Sequence, residues 1–299
     1  MNPKIVAFIN FKGGVGKTSN AVNIGACLAR NHKKKVLIVD LDAQCNSSFW
    51  LLNHKQRELL LQQPNRTTYQ IFKDKLMGTS NFDFEESVIR GVPINFLGNP
   101  QLPFLDLLPA AVELLEVEEH MSKKVTLPYF TWLEKALKPH AKEYDYVLLD
   151  CPPNIYTVSK NALFFADTYL IPYIPDYLSL SGFRVFSRLV RTFQDEVSGY
   201  KPALVKPRVG GVIVNRYQNS GNVFSEGINT LKLELMDLKA SKLVNAKAII
   251  LDPPIRSCVK VAECSNHHLP VIVYNDKCNG SEDYSALTVN FIKHLEEIL

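Results

Sequence analysis

Residues 12–19 read Lys-Gly-Gly-Val-Gly-Lys-Thr-Ser and follow directly on the apolar run Ile5–Ile9. A strand that delivers a glycine-rich turn into a helix can converge backbone N–H groups on a phosphate while the helix presents its positive end, so this segment dictates a strand-loop-helix start. Gly13, Gly14 and Gly16 keep the turn free of Cβ atoms around Val15. Lys17 stands where a cation reaches the β- and γ-phosphates. Thr18, followed by Ser19, stands where a hydroxyl holds Mg²⁺. The strict P-loop pattern asks for glycine where this chain has Phe11; what fits is the variant that opens with a second lysine, Lys12.

The 299 residues, 46% of them apolar, are enough to bury a full core, and no Gly/Ser-rich or Pro-rich linker interrupts them. One domain over residues 1–299 is expected, with a less typical segment at about 50–142. The chain enters strand and loop at once, leaving no room for a secretory signal or a separate DNA-reading module, and no apolar run approaches the roughly 20 residues of a bilayer span. A cytoplasmic location follows as an expectation. Six scattered cysteines, without CxxC or Cys-His spacing, read as free thiols rather than disulfides, zinc ligands or an iron–sulfur cluster site. Cys27 reads as core, and Cys151 is the cysteine nearest the chemistry.

Strands are expected near Ile5–Ile9, Val36–Val39, Val147–Leu149, Tyr169–Pro172, Val212–Val214 and Val271–Tyr274, with Leu105–Leu108 a candidate edge strand and Ala111–His120 helical. Near-continuous apolar strands alternating with helices give an α/β fold: a P-loop NTPase-like, mostly parallel twisted sheet with helices on both faces. Asp40, Asp42 and Asp150 each follow an apolar strand, and ligands of such sheets lie beyond the strands' carboxyl ends. All three aspartates therefore belong beside the glycine-rich loop.

The loop, the run Asp40-Leu41-Asp42-Ala43-Gln44, the strand-end motif Tyr144–Pro153, the pairs Ala166-Asp167 and Ile171-Pro172, the segment Gly211–Asn215 and the run Val259–Glu263 together resemble the ParA/MinD group of P-loop ATPases. The match departs at Ala43, where ParA proteins carry proline. The resemblance implies ATP and Mg²⁺ as cofactors, with Lys12, Lys17 and Asp42 catalytic. Asp42 would position the attacking water, while Thr18, Asp40 and Asp150 hold the metal directly or through water. Lys12 would cross an ATP-dependent homodimer interface to the partner's phosphates, in the manner of an arginine finger. Asn215 resembles the family asparagine that bonds adenine, with Pro253 or Pro254 packing near the base.

Residues 201–260 hold ten Lys/Arg against four Asp/Glu, an excess suited to phosphate backbones. By resemblance, Lys260 matches the basic position that holds nonspecific DNA, with Arg256 and Lys247 as further candidates. These likenesses imply a partition protein that segregates or positions plasmid, chromosome or other cargo and associates with the nucleoid of a prokaryote. Its hydrolysis would be stimulated by a ParB-like or cargo adaptor partner. The alternative is a MinD-like ATPase cycling on the membrane, which needs a basic amphipathic C-terminal helix. The tail Tyr284–Leu299 carries Glu296 and Glu297 in its last turns and reads as a packed terminal helix, so no stable membrane association is expected.

Overall fold

The computed structural model describes residues 2–95, 97–123, 128–175, 177–201, 208–218 and 222–299. Seven strands, β1 (Lys4–Phe8), β2 (Val36–Asp40), β3 (Leu105–Leu108), β4 (Tyr146–Asp150), β5 (Thr168–Tyr173), β6 (Val209–Val214) and β7 (Ile249–Leu251), form one sheet. Their order is β3-β2-β4-β1-β5-β6-β7, and every pairing is parallel. From β1 the chain steps outward to β2 and β3, returns through β4 to the strand beside β1, then crosses to β5, β6 and β7. Its direction thus diverges around the carboxyl end of β1, where open α/β sheets leave a crevice.

Side-chain alternation along each strand feeds two cores. Ile5, Ala7, Leu37, Val39, Val147 and Leu149 face one way. There they meet α4 (Thr68–Met77), α6 (Leu114–Lys123), α7 (Trp132–Ala141), α8 (Thr157–Phe165), α9 (Tyr177–Val197) and α10 (Asn222–Ala240). Val6, Phe8, Val36, Ile38 and Leu148 face the other way, onto α1 (Lys17–His32), α2 (Asn46–Leu51), α12 (Val271–Tyr274) and α13 (Asn279–Ile298). The shorter helices α3 (His54–Gln62), α5 (Phe84–Ser87) and α11 (Val259–Asn266) lie between these elements in the chain. Gly25 lets α1 come close to the sheet: a Cβ there would lie 3.2 Å from Ile38 Cδ1.

The expected strands at the centre of the sheet are present, and Leu105–Leu108 is the edge strand β3. Val271–Tyr274 is corrected. It forms the helical turn α12, with Pro270 at its N-cap, the Val271 N–H donated to Asn23 Oδ1 at 2.8 Å, and Val271 and Ile272 buried on the α1 side. The place beside β6 is taken instead by Ile249–Leu251. The segment expected to be less typical adds β3 and several helices to this same sheet and core. Among the described residues no helix is long and apolar enough to cross a membrane.

Candidate nucleotide site

The glycine-rich loop is stitched to the sheet before it turns. Asn10 Oδ1 accepts the Lys12 N–H at 3.0 Å, and Asn10 Nδ2 donates to the Pro172 carbonyl on β5 at 2.7 Å. Phe11, the residue that departs from the strict pattern, packs edge-on against Phe186 of α9 with ring centroids 5.0 Å apart. Gly14 and Gly16 take φ values of +73° and +99°, a region open to glycine at little cost. Gly16 is doubly constrained, because a Cβ there would also lie 3.0 Å from Asn215 Nδ2. That same Nδ2 donates to the Val15 carbonyl at 2.9 Å, so β6 holds the loop from the far side.

Lys17 is only 8% exposed, and its Nζ donates to the Lys12 carbonyl at 3.4 Å. Burial pulls its pKa down, while the Asp150 and Asp42 carboxylates push it back. Asp40 and Asp150 lie directly opposite each other in the β2–β4 register, and both are fully buried. Burial raises both carboxyls above the usual range. The Asp150 charge adds to the rise at Asp40; at Asp150 the Ser47 and Thr18 hydroxyls and Lys17 pull back.

The first turn of α2 supplies the answering donors. Ser48 gives its N–H and hydroxyl to Asp40 Oδ2 at 2.9 and 2.7 Å, and Asp40 Oδ1 accepts the Asp42 N–H at 3.1 Å. Ser47 gives its hydroxyl to Asp150 Oδ2 at 2.6 Å, whereas the buried Asp150 Oδ1 has no hydrogen-bond partner among the described residues. Asp42 Oδ1 accepts the Gln44 N–H at 3.0 Å. The only sequence signal of either serine is the tandem pair three and four residues after the Asp40–Gln44 run.

A cleft of about 1250 Å³ opens over the loop. Lys12, Gly13, Gly14, Val15, Gly16, Lys17, Thr18, Ser19, Asp42 and Asn215 all line it. Asp40 and Asp150 are not among the lining residues. Nor is Pro254, although the next residue, Ile255, is. A converging set of backbone donors, buried lysine and carboxylates suits a polyphosphate with a divalent cation. The orphaned Asp150 Oδ1 supplies an acceptor that a metal-bound water fits, beside the Thr18 hydroxyl.

A family model described as an AAA domain matches residues 3–204. The chromosome partitioning protein ParA of Myxococcus xanthus is 28% identical over 291 residues, 97% of this chain and 88% of the relative. ParA of Caulobacter vibrioides is 30% identical over 290 residues, 96% of this chain and 93% of the relative. The chain belongs to the ParA family of P-loop ATPases. Among solved structures, cobyrinic acid a,c-diamide synthase from Mycobacterium smegmatis with a bound ATP analogue and magnesium shares the fold. Its TM-score is 0.70 at 21% identity, covering 98% of this chain and 95% of that one.

The three basic residues expected on the ParA-like DNA surface sit in different settings around β7. Lys260 opens α11 beyond the carboxyl end of β7, at the cleft edge of the sheet, and pairs with Glu263 at 2.8 Å. Lys247 precedes β7, at the amino end of that strand, and donates to the Glu297 carbonyl at 2.6 Å. Arg256 grips the buried Asp283 carboxylate through Nε at 3.0 Å and Nη2 at 2.7 Å, with Glu282 at 3.3 Å. Two carboxylates thus already answer its charge. Of the basic stretch, Lys206 lies outside the described residues.

The two constraints on Gly16 separate it from its neighbour Gly13, whose Cβ would meet nothing within 4 Å. In thermal unfolding of the nucleotide-free protein, Gly16→Ala is expected to cost about 1–3 kcal/mol through its positive φ and the Asn215 contact, and Gly13→Ala less than about 0.5 kcal/mol. Equal effects would remove the Asn215–Gly16 latch from the account.

Proposed function

We propose that this ParA-family chain is a Mg²⁺-dependent ATPase that dimerises around ATP, holds DNA nonspecifically in that state, and segregates or positions a DNA or other cargo. The observation that carries the reading is the buried Lys17 at the cleft, facing Asp42 and Asp150, with an unsatisfied carboxylate oxygen behind it. Lys17 and the loop N–H groups bind the β- and γ-phosphates. Asp42, the aspartate that lines the cleft, orients the attacking water. Thr18 and Asp150 are the groups that would hold the metal, and the bound ion would neutralise charge on the β- and γ-oxygens. Asp40, whose two oxygens serve the Asp42 and Ser48 donors, is assigned to holding the turn rather than the metal.

Adenine is the base we favour, because Asn215 lines the cleft and its Oδ1 is an acceptor suited to the adenine amino group. Lys12 also lines the cleft, and in the dimer it would serve the partner's phosphates. The names of the Myxococcus and Caulobacter relatives support the partition role, and a ParB-like or cargo adaptor would then stimulate turnover. The membrane-cycling reading is less supported. The stripe Tyr284, Leu287, Phe291 and Leu295 of α13 is buried in the core shared with α1 and is not offered to a bilayer.

Asp42→Ala is expected to keep ATP binding while hydrolysis falls about a hundredfold or more and dimer accumulates, measured by single-turnover kinetics and light scattering. Wild-type turnover would take Asp42 out of the water-positioning role. For DNA, Lys260 carries the proposal, since Arg256 is committed to Asp283 and Lys247 lies at the other end of β7. Lys260→Glu is expected to weaken ATP-dependent duplex binding uniformly across sequences and lower the salt slope by about one per contact, with basal ATPase near wild type. ATP-dependent binding to anionic liposomes without any DNA shift would overturn the partition reading.

A further inference from the structure

Ser47 sits on α2, outside both the glycine-rich loop and the strands, and is fully buried. Cys45, with φ of +54°, turns the chain after Asp42 so that two consecutive serines reach two different carboxylates. Ser48 serves Asp40 and also accepts the Ala110 N–H at 3.0 Å, which ties the turn to the end of β3. Ser47 serves Asp150 at 2.6 Å, the short range of a hydroxyl bonded to a charged oxygen. That bond fixes one oxygen of the carboxylate, while the other, Oδ1, is buried without a hydrogen-bond partner among the described residues. Asp150 is also faced by the Thr18 hydroxyl, by Lys17 and, as like charges, by Asp42 and Asp40.

A buried carboxylate deprived of one donor takes the nearest remaining one. Without Ser47, the donors left to it are Lys17 and Thr18, which already bonds to Asp150 and is the hydroxyl the metal needs. We propose that Ser47 is a positioning residue for magnesium: by holding Asp150 Oδ2, it keeps Asp150 Oδ1 turned to the ion's waters and eases the pull of Asp150 on the Thr18 hydroxyl. This rests on the reading of the cleft as a Mg²⁺–ATP site. Ser48, acting on Asp40, has no such role, although both hydroxyls satisfy buried carboxylates.

The test compares binding of a fluorescent ATP analogue in Mg²⁺ and in EDTA, so that each protein yields the factor by which magnesium tightens the nucleotide. Ser47→Ala is expected to bind the analogue in EDTA within about twofold of wild type but to lose about tenfold or more of the magnesium factor, the size of one hydrogen bond to a charged group. Ser47→Cys, which keeps a side chain of similar size with a weak donor, reads the same quantity if the alanine variant does not purify. Ser47→Thr keeps the hydroxyl and is expected to restore the factor. Ser48→Ala is expected to lower thermal stability yet leave the magnesium factor at the wild-type value. An unchanged factor in both Ser47→Ala and Ser47→Cys would overturn the proposal, as would an equal loss in Ser48→Ala, which would mark the effect as general destabilisation. A wild-type protein that binds the analogue equally with and without magnesium would instead refute the Mg²⁺–ATP reading on which the proposal stands.

Discussion

A buried ammonium facing buried carboxylates at the carboxyl edge of a parallel sheet is the constraint around which the rest of this protein is arranged. Lys17 loses water on entering the fold, and Asp42 and Asp150 supply the opposite charge that makes its burial tolerable. Asp40 and Asp150 face each other across adjacent strands, so they would repel unless donors intervened. Those donors come from α2, which explains why the chain bends sharply at Cys45 directly after the Asp40–Gln44 run.

The same turn joins the site to the segment at about 50–142. Thr68, at the start of α4, donates its hydroxyl to the Asp40 carbonyl at 3.0 Å and its N–H to the Pro109 carbonyl at 2.9 Å. Ala110 donates to Ser48. Residues that look least regular in sequence therefore close the wall behind the Asp40–Asp42 turn. Their contribution is to the rigidity of the site as well as to the outer surface.

Much of the fold was legible because strands buried on both faces read as continuous apolar runs, and the glycine-rich loop fixed where the first of them ends. The same rule misled at Val271–Tyr274, where four apolar residues after Pro270 pack as a helical turn on α1. It also passed over Ile249–Leu251, a three-residue strand whose first residue is partly exposed. At the site, the place of every loop residue and of Asp42 on one cleft was legible, since each follows its strand by a short distance, whereas the role of Asp42 was implied only by the family resemblance. The roles of Ser47, Ser48 and Arg256 were not legible. They depend on contacts between residues 8, 27 or 103 positions apart, which no local pattern encodes.

Pairing with Asp283 turns what reads as a free basic residue into a clamp between the β7 loop and the start of α13, so the surface left for an acidic partner is narrower than the charge count implies. The nucleotide site does not share that ambiguity, because its charges converge on one cleft. Calorimetric titration of ATP with Mg²⁺ into wild type and Lys17→Ala tests this centre most directly. The expected result is saturable binding of one ATP per chain in wild type and at least about tenfold weaker binding in a variant that stays folded by circular dichroism. Equal affinity in the two proteins would contradict the account, because the buried lysine would then have no part in holding the phosphates.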